Sequence, residues 1–116
     1  MSATGPAASG YPWVAVGEMS AIDPDYPVMA TVGEIELVVC RVGDEAFALG
    51  NICTHAYARL SDGHVEDEQV FCPLHQGSFN LRTGEAVALP CYEPIATFPT
   101  RVEGDTILVD VTGGAS

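Results

Sequence analysis

The sequence contains no lysine, and its four basic residues are all arginine, whereas aspartate and glutamate together number sixteen. The net charge of −12 argues against binding to nucleic acid or to an anionic membrane, because both are negatively charged themselves. The same charge favours a partner protein with a basic docking face. A simpler interpretation, in which the acidic residues only keep a small protein soluble, agrees with the composition as well.

Targeting and membrane segments are also missing. No apolar run approaches the length of about 18 residues that a membrane-spanning helix needs. Residues 1–10 lack both the charged start and the apolar stretch of a secretion signal, so they are predicted to form a flexible tail. We therefore expect a cytoplasmic protein that makes no contact with a membrane, with one domain over residues 11–116. Without a secretory context, the four cysteines do not indicate a disulfide framework.

A helical pattern is absent too, since no segment of twelve or more residues keeps an apolar stripe at helical spacing. At most, residues 18–21 are expected to form one helical turn. Apolar residues instead alternate with polar ones in short segments that are rich in valine, isoleucine and threonine. Strands are predicted over residues 13–16, 28–32, 35–42, 45–49, 70–72, 78–81, 86–89, 95–102 and 106–111. Turns are predicted over residues 42–45 and 103–105 and at residues 83–84.

These strands indicate an all-β protein, an antiparallel β-sandwich or small barrel. Two loops, residues 53–62 and 72–77, are expected to project from it. The first carries Cys53 and His55 and the second Cys72 and His75, with sixteen residues between His55 and Cys72. Each loop thus offers one thiolate and one imidazole as metal ligands. A tetrahedral zinc site is the simplest alternative, although zinc modules usually pair cysteine with cysteine and histidine with histidine at these spacings.

The two half-motifs resemble the signature of the Rieske iron–sulfur family, in which two cysteines hold one iron and two histidines the other. Residues 53–63, 72–84 and 89–111 are similar to the ferredoxin components of bacterial aromatic-ring-hydroxylating dioxygenases. The resemblance implies two stacked antiparallel sheets and a cluster-binding subdomain, made of the two ligand loops and a proline loop at Leu89-Pro90. It implies one 2Fe-2S cluster per chain, with Cys53 and Cys72 on the inner iron and His55 and His75 on the outer iron.

The function that the resemblance implies is one-electron transfer. The donor would be an NAD(P)H-dependent flavin ferredoxin reductase, and the acceptor the terminal oxygenase of a multicomponent dioxygenase or hydroxylase. A small Rieske subunit of another redox enzyme, such as nitrite reductase, and a zinc-stabilised interaction module remain alternatives. The substrate is chosen in the oxygenase, so the sequence does not reveal it. We expect a monomeric shuttle.

Departures from the Rieske proteins of cytochrome bc-type complexes indicate a low potential. Those proteins carry an extra disulfide between the loops, and the matching positions here are Ala58 and Leu74. They also place a serine and a tyrosine whose hydroxyls bond to cluster sulfur, where this chain has Gly77 and Phe79. Fewer donors stabilise the added electron less, so we expect a potential at the low end of the Rieske range, about −150 mV.

The histidine count excludes a catalytic oxygenase. The chain has three histidines, and if two are ligands, one remains. One histidine cannot build the mononuclear iron site of two histidines and a carboxylate that oxygenases use. The chain also has no nucleophile–base constellation and no nucleotide-binding fingerprint. We expect an electron carrier and not an enzyme.

The remaining reactive residues receive simpler interpretations. Cys40 is expected to be a small buried apolar residue, and Cys91 to lie near the cluster without binding it. His64 is expected in an exposed turn at the end of the first ligand loop. Two sets complete the predictions: an acidic turn that is either solvated or part of a docking rim (Asp62, Glu66, Asp67, Glu68) and a partner-facing cap (Ala56, Tyr57, Gln76, Pro90).

Overall fold

The structure is a computed structural model that describes residues 13–54, 58–74, 77–89 and 93–112. Within these ranges the chain forms strands and two short 3-10 turns, Met19–Ala21 and Leu60–Asp62. No helix in these ranges is long and apolar enough to cross a membrane. The strands are β1 (Trp13–Glu18), β2 (Val28–Val32), β3 (Ile35–Val42), β4 (Glu45–Gly50), β5 (His64–Glu66), β6 (Gln69–Phe71), β7 (Ser78–Asn80), β8 (Ala86–Ala88), β9 (Thr97–Phe98), β10 (Thr100–Glu103) and β11 (Thr106–Asp110).

The strands form three antiparallel sheets, so the all-β prediction is confirmed. The strand orders are β1-β11-β10, β2-β3-β4-β9 and β5-β6-β7-β8. We call the first two the basal sheets. The third sheet carries the predicted ligand loops, one before β5 and one between β6 and β7. Together with these loops we call it the ligand-loop subdomain.

Strand β3 lies between the other two layers, which explains its continuous apolar sequence. Successive side chains of a strand point to opposite faces. Leu37 and Val39 pack with residues of β11, whereas Val38 and Cys40 pack with residues of the ligand-loop subdomain. All four side chains are completely buried. Each such aliphatic residue contributes about 1.5–3 kcal/mol relative to an exposed position. One strand therefore joins the basal core to the ligand-loop subdomain.

The predicted strand over residues 95–102 is wrong in one respect, because the structure divides it at Pro99. Strand β9 pairs with β4, whereas β10 pairs with β11 in the other basal sheet. Proline has no N–H to donate to a sheet ladder, so it stands where the chain changes partners.

Strand β5 was not predicted, and His64, expected in a turn, is its first residue. The strand has three residues, of which only Val65 is buried, too few to show an alternating pattern. Its hairpin to β6 turns at Asp67 and Glu68, whose φ angles are 55° and 59°. Tight hairpin turns with positive φ usually contain glycine or asparagine. The acidic pair therefore gave no hairpin signal.

Candidate metal centre

The structure brings the two predicted cysteine ligands together. Cys53 and Cys72 are only 3% and 1% exposed and belong to one apolar cluster with Val70 and Phe79. Burial raises the pKa of Cys72 to about 11. A backbone hydrogen bond at Leu74 lowers this pKa, and the neighbouring Cys53 thiol raises it. A buried thiol with a raised pKa, such as that of Cys72, stays protonated unless a cation stabilises its thiolate. The pair is suited to a metal and poorly suited to exposed thiol chemistry.

The backbone closes both ligand loops in the same way. The Cys53 N–H donates to the Ala58 carbonyl oxygen at 2.9 Å, and the Cys72 N–H donates to the Gly77 carbonyl oxygen at 2.7 Å. In each case the acceptor lies five residues after the cysteine, so each hydrogen bond spans four residues that include a histidine of the motif. The two half-motifs, which differ by one residue in spacing, are therefore set on hairpin loops of equal length.

Gly63 closes the first loop against the sheet. A Cβ atom at this position would lie 1.8 Å from the carbonyl oxygen of Phe71, far below any van der Waals contact. Phe71 immediately precedes Cys72, so this close backbone approach joins the end of the first loop to the start of the second. Only glycine permits it.

Not every predicted residue can be located. His55 and His75 lie outside the described residues, as do Cys91 and the four residues of the predicted cap, Ala56, Tyr57, Gln76 and Pro90. Next to these gaps, the Thr54 hydroxyl donates to the Glu93 carbonyl oxygen at 3.0 Å. This bond joins the first ligand loop to the segment that follows Pro90.

Cys40 is completely buried in the same apolar cluster as Cys53 and Cys72, as the sequence predicted. Burial raises its pKa to about 12. His64 stacks on Phe71 with ring centroids 4.8 Å apart, and its Nε2 lies 3.6 Å from a Glu66 carboxylate oxygen. Its side chain is 39% exposed, so His64 is less exposed to solvent than the sequence predicted.

Three residues near the site were missed from the sequence: Glu36, Asn51 and Arg59. The Asn51 side chain is completely buried; its Nδ2 donates to Glu36 Oε1 at 3.3 Å, and its Oδ1 accepts from the Ser61 N–H at 2.8 Å. Arg59 Nε donates to the same Glu36 carboxylate at 3.2 Å. The only signal in the sequence was a polar residue between the apolar strand β4 and Cys53.

The position at which the resemblance places a tyrosine in cytochrome bc-type relatives is Phe79, which offers no hydroxyl. Phe79 is completely buried beside the two cysteines, and its ring has no hydroxyl to donate. The neighbouring Ser78 hydroxyl donates to Gln69 Oε1 at 2.7 Å, so it is already engaged within the sheet. Ala58 and Leu74 exclude the additional disulfide.

Antiparallel sheets with two matched loops, each holding a buried cysteine that a histidine follows in the sequence, are suited to a metal-binding protein. A family model for the Rieske [2Fe-2S] domain matches residues 12–99. The chain belongs to the Rieske [2Fe-2S] domain family. Its cofactor is a Rieske-type 2Fe-2S cluster, and the paired buried thiols fit the cysteine side of such a group.

Known relatives are similar over most of the chain. The ferredoxin component of biphenyl 2,3-dioxygenase from Rhodococcus jostii is 46% identical over 84 residues, which are 72% of this chain and 78% of the relative. The ferredoxin of carbazole 1,9a-dioxygenase from Nocardioides aromaticivorans superposes with a TM-score of 0.80 at 38% identity, covering 84% of this chain and 96% of that one. A structure of reduced oxygenase with oxidized ferredoxin from carbazole 1,9a-dioxygenase matches with a TM-score of 0.78 at 34% identity, covering 85% and 93%.

Proposed function

We propose that this protein is the Rieske ferredoxin of a multicomponent aromatic dioxygenase or related hydroxylase. It would carry single electrons from an NAD(P)H-dependent flavin ferredoxin reductase to the terminal oxygenase. The observation that carries the proposal is the pair of matched cysteine loops in a chain whose similarity to such ferredoxins covers most of its length. The substrates of the relatives differ, so the aromatic substrate of this system is left open.

Within the site, Cys53 and Cys72 are the proposed ligands of the inner iron, and His55 and His75 those of the outer iron. When bound, the cluster takes up and releases one electron at a time. The buried positions of Cys53 and Cys72 exclude water from the thiolates. Their backbone N–H groups are used to close the loops, so the loop geometry does not depend on the thiols alone.

A low reduction potential follows from the surroundings of the loops. Phe79 and Gly77 offer no hydroxyl toward the site, and the Ser78 hydroxyl is engaged with Gln69. Hydrogen-bond donors would stabilise the more negative reduced state and raise the potential. We expect a value near the low end of the Rieske range, about −150 mV. This potential suits reduction by NADH through a flavin.

Docking to both partners is proposed to combine charge with a small apolar surface. Leu74, Val87 and Leu89 are 47%, 53% and 79% exposed, and they lie in or next to the loop segments that carry the predicted ligands and cap. Exposed apolar residues on an otherwise acidic protein serve short-lived complexes with small interfaces. The net charge of −12 would steer association toward basic faces of the partners.

The remaining parts of the proposal concern the state of the protein. We infer one domain over residues 11–116, a monomer in the cytoplasm, and no catalytic activity of its own. These inferences agree with the histidine count and with the role of a diffusing carrier.

A reconstituted electron-transfer chain tests the proposed function. The purified protein should contain two irons and two labile sulfides per chain. It should be reduced by NADH with a flavin reductase of this class and reoxidised by a Rieske oxygenase under air. Stoichiometric zinc without sulfide would refute the cofactor. A loaded protein that neither accepts electrons from the reductase nor passes them to the oxygenase would refute the carrier role.

The ligand assignment needs its own variants. His55→Ala and His75→Ala should each abolish the electron paramagnetic resonance signal with low average g-value that nitrogen ligation produces. The control His64→Ala should retain that signal. If the signal survived the first two substitutions and disappeared in the control, His64 would be a ligand, and His55 and His75 would not be.

A further inference from the structure

The first ligand loop is held by a buried amide that precedes Cys53 by two residues. Asn51 is completely buried and yet polar, and the structure gives it four hydrogen bonds. Its side chain bonds to Glu36 Oε1 and to the Ser61 N–H. Its backbone N–H donates to the Glu36 carbonyl oxygen at 3.1 Å, and its carbonyl oxygen accepts from the Leu60 N–H at 2.7 Å.

These bonds connect three separate parts of the chain. Glu36 belongs to β3, the strand that joins the layers, whereas Leu60 and Ser61 belong to the 3-10 turn that ends the loop. Asn51 stands at the start of the loop. One side chain therefore fixes both ends of the loop to the central strand, and Cys53 lies between these ends.

We propose that Asn51, anchored by Glu36, is a positioning residue that sets the place of Cys53 in the cluster site. The proposal rests on the proposed role of Cys53 as a ligand. It assigns Asn51 no contact with the cluster. The residue acts through the loop, as hydrogen-bonded residues behind a metal ligand commonly do.

Arg59 extends this hydrogen-bond network on its solvent side. Its guanidinium bonds to Glu36, which is 24% exposed, and it is itself 55% exposed. The two Arg59–Glu36 bonds hold the carboxylate in the position where its Oε1 also accepts from the Asn51 amide. Arg59 also forms an isolated bridge with Ile52, so the loop ends are tied a second time by backbone pairing.

Removing the Asn51 side-chain amide should disturb the loop more than the loss of a hydrogen bond in an exposed turn would. A polar group shielded from water costs free energy when it loses its hydrogen-bond partner. Here the Ser61 N–H would lose its bond to Asn51 Oδ1, whereas the Glu36 carboxylate would keep its bonds to Arg59. Asn80 offers a matched control, because its Oδ1 accepts from the N–H groups of Arg82 and Thr83 at 2.8 and 3.1 Å. That turn carries none of the proposed ligands.

The test compares Asn51→Leu, Asn51→Asp and Asn80→Ala in the loaded protein. Asn51→Leu removes both side-chain bonds. Asn51→Asp keeps the acceptor for Ser61 but places a carboxylate against Glu36. Three quantities are measured: the rate of iron release to a chelator at 25 °C, the visible circular dichroism with the electron paramagnetic resonance spectrum, and the thermal unfolding midpoint.

We expect both Asn51 variants to release iron faster, on the order of 10-fold for Asn51→Leu, and to alter the spectra. Asn80→Ala should lower the unfolding midpoint only. The double variant Asn51→Asp with Glu36→Gln should recover slow release, because the amide introduced at position 36 can donate to the carboxylate introduced at position 51. Glu36→Gln alone is the reference for that comparison, because it also weakens the ion pair with Arg59.

Several outcomes would overturn the proposal. If the Asn51 variants matched Asn80→Ala in iron-release rate and spectrum, Asn51 would have only a structural role. The same conclusion would follow if the double variant released iron as fast as Asn51→Asp. If Asn51→Leu fails to fold, the comparison between Asn51→Asp and the double variant decides. Cys53→Ser is the separate check on the ligand assignment, because a native cluster in that variant would refute the assignment itself.

Discussion

The basal sheets and the ligand-loop subdomain are stabilised in different ways. Strand β3 in the basal sheets has eight residues, and its buried side chains are aliphatic except for Cys40. Each strand of the subdomain has three residues. Short strands bury little, and the subdomain supplements them with a buried asparagine, a glycine in backbone contact and closed cysteine loops. The basal sheets therefore depend mainly on the apolar side chains that they bury, whereas the metal-binding end relies more on specific polar and steric contacts.

The largest expected effect comes from removing a proposed ligand. Cys72→Ser should abolish the cluster, because a serine hydroxyl binds iron far more weakly than a cysteine thiolate does. Without metal, the subdomain loses its strongest link between the loops, and the amides of β5–β7 should exchange with solvent faster. The amides of β3 and β11 should keep their protection. Iron and sulfide analysis together with hydrogen exchange measures both effects.

A uniform loss of protection across the whole chain would contradict that division between base and subdomain. Cys40→Ser is the control, since Cys40 lies in the same apolar cluster but outside the ligand motif. It should retain the cluster, although burying a hydroxyl there costs some stability.

The second largest effect is expected at Gly63. Gly63→Ala places a methyl group against the Phe71 carbonyl oxygen, so the backbone of the two loops must separate. We expect the free energy of unfolding to fall by more than about 3 kcal/mol, a loss typical of severe steric clashes or large cavities. Denaturant titration measures it.

Gly17→Ala is the matched control in the basal sheets, because a Cβ there meets no atom within 4 Å. An alanine in a strand should be neutral or stabilise the protein by about 0.5 kcal/mol. Equal effects at the two glycines would mean that the loops have enough freedom to move apart.

The sequence predicted most of the base and the positions of the two cysteine loops, and physical reasons account for what it missed. Long apolar strands such as β3 reveal themselves through composition, and the half-motifs reveal themselves through spacing. Strand β5 has too few residues for a pattern, and its Asp67-Glu68 turn lacks the usual turn residues. Asn51 acts through partners that lie 15 and 10 residues away, and no local rule connects them.

A matched pair of core valines sharpens the comparison further. Val39 in β3 and Val70 in β6 are both completely buried. Substitution of either by alanine should destabilise the protein by about 2 kcal/mol through the cavity it leaves. Only Val70→Ala should also hasten iron release, because Val70 lies two residues before Cys72 and in the same apolar cluster. Iron release that is equally fast in both variants would show that the cluster senses global stability alone.

The smallest effect is expected where the two regions meet at the surface. Arg82, in the turn after β7, donates to Glu45 of β4 at 2.6 Å and to Glu68 at 2.9 Å, and it stacks on the Phe47 ring at 5.0 Å from its centroid. Hydrogen bonding to Arg82 lowers the pKa of Glu45. Because these groups are exposed, the ion pairs contribute little to stability and are screened by salt.

The sign of the pH dependence follows from that lowered pKa. A carboxyl group with a lower pKa in the folded state stabilises the protein above its unfolded pKa, and this contribution is lost as pH falls through the folded value. Arg82→Met should therefore destabilise the protein slightly at neutral pH, and the difference from the wild type should shrink under acidic conditions. Arg101→Met is the control, because Arg101 pairs with Glu103 and stacks over Trp13 within one basal sheet. Only Arg82→Met should loosen the subdomain, seen as faster exchange of the β7 amides. If both arginine variants changed that exchange equally, the Arg82 ion pairs would not be a specific link between the two regions.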